Sequence, residues 1–238
     1  MSLPPVPVPT GAIRYNTDSN KMECFNGTKW WEISVSSPDL NGGARGLTSG
    51  LYNPSPAGAV DNIDYITIAT QGNAIDFGNL TAITHDGGSL ASRTRYCHAG
   101  GSREGSNSNV IEYVTIASTG NAQDFGDLVV AARSQAGCSN ATRGVFCGGG
   151  PPSNINIMEH IQIATLGNAV NYGDLAASDG GGHIGGMSSK VRGVWNGGGS
   201  TNVMSYFSLQ TAGDTVDFGD SVNAYSNGRS SSNAHGGL

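Results

Sequence analysis

One sentence is written four times in this chain of 238 residues. It reads IDYITIATQGNAIDFGNL at 63–80, IEYVTIASTGNAQDFGDL at 111–128, MEHIQIATLGNAVNYGDL at 158–175 and MSYFSLQTAGDTVDFGDS at 204–221. The aromatic of its second half, Phe77, Phe125, Tyr172 and Phe218, recurs at intervals of 48, 47 and 46 residues. A second marker runs between the copies: ARGLTSG, TRYCHAGG, TRGVFCGGG and VRGVWNGGG. Its arginines, Arg45, Arg95, Arg143 and Arg192, recur at 50, 48 and 49. Two markers with one period exclude chance similarity. A period in the high forties belongs to propeller blades or to helical repeats.

The local pattern decides for strands. IEYVTIAS alternates, with Ile111, Tyr113, Thr115 and Ala117 on one side and Glu112, Val114, Ile116 and Ser118 on the other, and it is rich in β-branched and aromatic residues. RGVFCGGG reads as a short strand that ends in glycines. The Gly-Asn of TQGN, STGN and TLGN is a hairpin signal between two strands. A weaker strand is expected near ARSQAGCSN, closing the sheet that precedes it. No segment has a 3.6-residue apolar period. Each repeat is then a small antiparallel sheet that cannot bury both faces alone, and sheets stacked side by side bury what one leaves bare.

Composition excludes several classes. Gly contributes 37 residues without a G-X-Y period, so collagen is out, and the β-branched runs argue against disorder. A net charge of −6 with 12 Lys+Arg disfavours nucleic acid, whose phosphates need clustered cations. No apolar run of about 18 residues reads as a membrane helix. MSLPPVPVPT lacks the basic and apolar regions of a signal peptide, which predicts folding in a cytoplasm. Cys24, Cys97, Cys138 and Cys147 fit no zinc spacing and are expected as buried thiols.

The order of glycine-doublet strand, loop, VIEYVTIASTGN-type strand and aromatic resembles a degenerate kelch repeat, from Arg45 to about Leu238, with Phe or Tyr where that family usually has Trp. The resemblance implies an all-β propeller-like domain of four repeats over 44–238. The N-terminal GAIRYNTDSNKMECFNGTKWWEI, 11–33, is read separately as a three-stranded meander whose second turn is Asn26-Gly27. It is similar to the G-x-I-R-Y-N…N-G-x-x-W module of bacteriophage tail fibres and other virion proteins. That implies docking on a virion partner or oligomerisation, as a trimer, through Tyr15, Phe25, Trp30 and Trp31. Residues 1–10 read as a Pro-rich tether and 34–43 as a linker.

Candidate chemistry is thin. The repeat arginines and the acids Asp76, Asp124 and Asp217, with Asp127, Asp174 and Asp220, recur in register, as an Arg–Asp contact or a turn-capping Asp would require. A catalytic residue is needed once. His98 aligns with Phe146 and Trp195, and His160 with Tyr65 and Tyr113, so both take packing positions. No HExxH, G-x-S-x-G or phosphate-loop pattern occurs. Asn16, Asp18 and Asn20 lack the glycine and the distal glutamate of a calcium loop. No catalytic residue, cofactor or metal site is assigned. Recognition is expected in the variable loops 51–62, 102–109 and 151–157, with Tyr52, Asn53, Arg103, Glu104, Asn107, Asn109, Asn154 and Asn156 as candidates. The expected function is a non-enzymatic virion protein, assembled in the host cytoplasm. It would bind other virion proteins through the N-terminal module and a host-surface glycan or protein through the loops. A capsid or tail decoration protein and a bacterial carbohydrate-binding adhesin are the alternatives.

Overall fold

The computed structural model describes residues 8–18, 21–33, 45–54, 57–150, 154–176, 185–196, 201–225 and 230–232. The expected linker 34–43 and most of the tether lie outside them, as do Asn20 and part of each of the loops 51–62 and 151–157. The chain divides into two compact units, Met1–Pro38 and Asp39–Leu238. Both are all-β, and no helix occurs among the described residues.

The first unit is the expected meander. Ile13–Asn16, Lys21–Phe25 and Trp30–Glu32 form one antiparallel sheet in chain order. Gly27 takes φ +97° in the second turn, where Asn26 Oδ1 accepts the amides of Thr28 and Lys29. The pleat sorts side chains by face. Opposite one another lie Ile13 and Cys24, Tyr15 and Met22, and Cys24 and Trp31. On this face Ile13, Tyr15, Met22 and Trp31 are all exposed. The other face carries Arg14 paired with Glu23 at 2.7 Å, and Phe25 packed on Trp30 at 5.3 Å.

The second unit is a series of small antiparallel sheets that share one layout. The strand carrying the repeat arginine pairs with a central strand, which pairs with the strand carrying the repeat aromatic. In the first sheet these are Arg45–Thr48, Asn62–Thr67 and Ile75–Asn79. The next three sheets add an inner strand ahead of the arginine strand. The second is Gly88–Ala91, Arg95–Ala99, Val110–Thr115 and Gln123–Asp127. The third is Ala136–Ser139, Arg143–Cys147, Ile157–Gln162 and Val170–Asp174. The fourth is Gly185–Ser188, Arg192–Asn196, Thr201–Ser208 and Val216–Tyr225. Every central strand is bulged at the same register position: Ile63/Asp64, Ile111/Glu112, Met158/Glu159 and Met204/Ser205.

Two sequence expectations change. The strand in ARSQAGCSN opens the following sheet; it does not close the preceding one. The reason is a tight, side-chain-capped turn: Asn140 Oδ1 accepts the amides of Thr142 and Arg143, and Ser92 and Ser189 do the same for Arg95 and Arg192. The Gly-Asn elements do lie between two antiparallel paired strands, as expected, but in longer connections than a two-residue turn. Gly120 donates its amide to Phe77 O (2.8 Å) and Ala122 to Asn79 O (2.8 Å), so the turn of one sheet docks on the aromatic strand of the sheet before it. Gly167 and Gly213 repeat this on Phe125 O and Tyr172 O.

The sheets are glued at these joints. Three apolar clusters each draw on two consecutive sheets, with Phe77, Phe125 and Tyr172 each 2% exposed. Each repeat arginine stacks on a ring of its own sheet, as Arg45 does on Tyr65 (4.8 Å) and Arg95 on Tyr113 (4.6 Å). The guanidiniums of the first three then donate to a carbonyl of the next sheet: Arg45 to Ile116 O, Arg95 to Ile163 O and Arg143 to Leu209 O, at 2.7, 2.8 and 3.0 Å. The expected Arg–Asp contact does not form among the described residues, because the carbonyls take the guanidinium. Asp217 accepts the Gly219 amide, but within the strand Val216–Tyr225, at its bulge, and so caps no turn. Cys97, Cys138 and Cys147 are buried and form no disulfide, and burial pushes Cys97 up to about 12.

Candidate functional site

Two of the expected recognition loops meet over the entry to the second sheet. Tyr52–Pro54 pairs with Ala57–Ala59 in one hairpin, and Ser102–Arg103 with Ser106–Asn107 in another. Glu104 and Gly105 form the second hairpin's turn at φ +51° and +83°, the primed geometry that Gly supports. The short strand Thr84–His85 joins the two loops. It pairs with Ser102–Arg103, and His85 takes the Tyr52 ring edge-on at 5.5 Å.

The candidate residues fall into two groups. Tyr52 is 59% exposed, and Glu104, Asn109, Asn154 and Asn156 are exposed. The backbone carbonyls of Asn109 and Asn156 are occupied, accepting the Leu128 and Leu175 amides at 2.7 and 2.6 Å. Asn53 and Asn107 are partly buried and carry contacts of their own. Arg103 turns inward, with its guanidinium on Glu112, a carboxylate that is 1% exposed. Glu112 also accepts the Thr81 amide at 2.6 Å, so this ion pair ties the 102–109 loop to the strand connection at 81–84. In the next sheet Glu159 occupies the same register position and accepts the amides of Val129 and Val130 at 2.7 and 3.0 Å. No cation pairs with it among the described residues, and burial pushes its carboxyl up.

At Ser49–Leu51, where the first of these loops begins, a cavity of about 390 Å³ opens against the inner strands, lined among others by Ser49, Asp86, Ser89, Ser134 and Gln135. Asp86 and Ser134 both stand at φ +60°, an uncommon backbone for residues other than Gly, and the Ser134 amide donates to Asp86 O at 2.6 Å. The Asp86 carboxylate lies 3.2 Å from His85 Nδ1. Gly50 and Gly87 form part of the wall because His98 sits directly behind them: a Cβ on Gly50 would come 2.6 Å from His98 Cε1. His98 is 2% exposed, with Nδ1 3.1 Å from Ser49 Oγ, itself 2.7 Å from the Tyr96 hydroxyl. Burial, with the Arg103 charge second, lowers His98 to about 4, so it is neutral at physiological pH. It fills the position held by Phe146 and Trp195 in the next two sheets, and His160 packs on Tyr172 at 5.0 Å as Tyr113 packs on Phe125.

The face therefore offers hydroxyls, one amide, one carboxylate and an exposed tyrosine ring. Such groups hydrogen-bond a neutral polar ligand. No cluster of three His, Cys, Asp or Glu is placed to hold a metal among the described residues. His85, Asp86 and Ser134 escaped the sequence reading; the signal that could have found them is Asp86-Gly87-Gly88, a turn dipeptide ahead of a strand. A scan against protein-family models finds no match for this chain, and neither does a search of the curated proteins.

Proposed function

We propose that this chain is a phage virion protein whose second unit is a four-repeat, kelch-like propeller and whose first unit docks it to the particle. The observation that carries the reading is the bare apolar face of the first unit. Ile13, Tyr15, Met22 and Trp31 stand exposed together on three short strands, and a patch of that kind on so small a sheet is a contact surface. Its strands are those of the tail-fibre-like module that the sequence resembles. Phe25 packs on Trp30 on the opposite face, while Tyr15 and Trp31 make the contact. The partner is another virion protein or further copies of this chain.

In this reading the protein is not an enzyme and needs no cofactor; it attaches. The host-facing surface is the one bearing Tyr52, His85, Asp86 and the 102–109 hairpin, and its ligand is a surface glycan or a polar protein loop held by hydrogen bonds. The test is adsorption to host cells by protein carrying Tyr52→Ser and Glu104→Gly, exposed positions of the two loops whose change leaves the Arg103–Glu112 pair in place. Melting temperature should hold, since surface loops tolerate such changes, and adsorption should fall to background. Adsorption at the original level in a folded loop variant overturns the recognition face. Virion incorporation at the original level after Trp31→Ser overturns the docking role.

A further inference from the structure

The exposed face of the first unit has a layout as well as a composition. By register its side chains stand in two rows, with Ile13, Cys24 and Trp31 in one and Tyr15 and Met22 in the next. The two rings are therefore at opposite corners, Tyr15 on one edge strand and Trp31 on the other. The sulfur side chains of Met22 and Cys24 lie on the central strand between them. Lys29 Nζ lies over the Trp31 ring at 4.5 Å and props that wall. The result is a diagonal channel with aromatic walls and a sulfur floor. Its open corner is Ile13, 61% exposed, at the start of the first strand.

The chain arrives at that corner through an anchored turn. Ala12 donates its amide to Pro9 O at 3.1 Å, and Gly11 stands at φ +88°, as the third position of a type II turn requires. Gly11 N donates to Phe25 O at 2.7 Å and Phe25 N to Ala12 O at 2.8 Å, which fixes the turn to the sheet. A turn reverses the chain, so the segment ahead of Pro9 is directed back along the sheet it precedes. That segment, LPPVPV at 3–8, is apolar throughout. Pro4, Pro5, Pro7 and Pro9 leave only the Val6 and Val8 amides to donate, too few to add a strand at the sheet's edge. Such a sequence favours a polyproline II helix at little entropic cost, and the surface that takes one is a groove between aromatic rings.

We infer that the Pro-rich lead, residues 1–9, lies in the channel between Tyr15 and Trp31 of its own chain. Residues 1–7 are outside the described residues, and their number is what decides reach. At about 3.1 Å per residue, 3–8 extend over about 19 Å. A face of three strands and four residues measures about 10 by 14 Å. The lead is long enough to cross the face on a diagonal, and it starts at the channel's corner. Its local concentration is then in the millimolar range, which a second copy does not match. The inference rests on the reading of this face as a contact surface and adds its regulation: a virion partner that takes the face must displace the lead.

Cys24, on the channel floor and half-buried, reports the occupant, while Cys97, Cys138 and Cys147 are buried. The rate of its alkylation by iodoacetamide is followed by peptide mass in the natural chain, in the triple variant Pro4→Gly, Pro5→Gly, Pro7→Gly, and in the chain lacking 2–7. Both changes should speed alkylation of Cys24 on the order of tenfold and leave the three buried thiols unmodified. The natural rate should not vary with protein concentration. Equal rates in all three proteins overturn the inference. A gain on deletion but none with the glycines overturns recognition of the polyproline form. A natural rate that falls as protein concentration rises overturns the chain's own lead in favour of a second copy's. Virion incorporation of Trp31→Ser at the original level, which overturns the docking role, leaves the Cys24 comparison as it stands.

Discussion

The sheet of the first unit and the third sheet of the second are built from the same materials, and the materials end in opposite places. Both are short, antiparallel and aromatic. In the third sheet Val145, Phe146, Cys147 and Met158 are all 0% exposed. In the first unit Ile13, Tyr15 and Trp31 are each more than half exposed. The difference lies in neighbours. The third sheet has one on either side, each reached by the same joint; the first unit stabilises its strands with surface pairs such as Lys21–Glu32 at 2.6 Å, which are worth little in water. Sheet stability in this chain comes from the joint more than from the strands it connects.

Mutations that empty or crowd a joint sharpen that contrast. The largest effect is expected from Phe125→Ala, which should lower stability by about 3–5 kcal/mol, read as the shift of a denaturant midpoint at fixed slope. An unchanged midpoint would break the comparison, since Phe125 would then contribute no more than an exposed ring. Next comes the pH dependence set by His98. Its folded pKa, about 4, lies below the ordinary 6.5. The unfolded chain therefore takes up a proton that the folded one refuses, and stability is lost as pH falls from 6.5 towards 4. The loss approaches about 3 kcal/mol at the acid end. Subtracting the titration of His98→Gln from that of the natural protein isolates it from Glu159. That carboxyl's raised pKa acts in the other sense, removing stability as pH rises from 4.5 through the folded value. Identical pH profiles for the two proteins would show that His98 is not shielded.

Gly126→Ala, which drives a methyl into the Gly167 carbonyl, should cost about 1–3 kcal/mol by overpacking. Equal stability of this variant and the natural protein in a thermal melt would mean that the turn does not dock. Smallest is Trp31→Ser in the first unit. It should move the melt of the second unit by less than about 0.5 kcal/mol, as surface substitutions do, while removing a contact ring. A large shift would put the exposed face in a folding role.

Much of the second unit was legible because its strands are spelled out four times, and period and alternation survive substitution. The first unit was legible from Asn26-Gly27 and from runs of three to five residues. What escaped depends on the third dimension. IEYVTIAS alternates as a one-sided strand, yet Ile111, Glu112, Val114 and Ile116 are all buried, because the strand is bulged at Ile111/Glu112 and covered on both faces. A lone glutamate in a strand reads as a solvent-facing residue; only the fold reveals that Glu112 accepts the amide of Thr81, 31 residues away. The inner strands were assigned to the wrong neighbour because a strand's sequence does not say which of two flanking strands it pairs with. Tyr52 and Glu104 were legible as loop residues, whereas His85 and Asp86 belong to a connection between two sheets and are brought to Tyr52 only by the fold.

A ladder of serine hydroxyls is polar in the sense that a queue is: Ser139 Oγ donates to Ala91 O, Ser188 Oγ to Ser139 O and Ser232 Oγ to Ser188 O, each to the segment before it, and the docking turns face the same way. Inserting one whole repeat between any two others would create no interface that the chain has not already solved, while inserting part of a repeat would leave a rung without its carbonyl. Gene duplication in steps of about 47 residues is therefore the cheap route to a larger member of this design, and lineages built on it should differ by integral numbers of sheets.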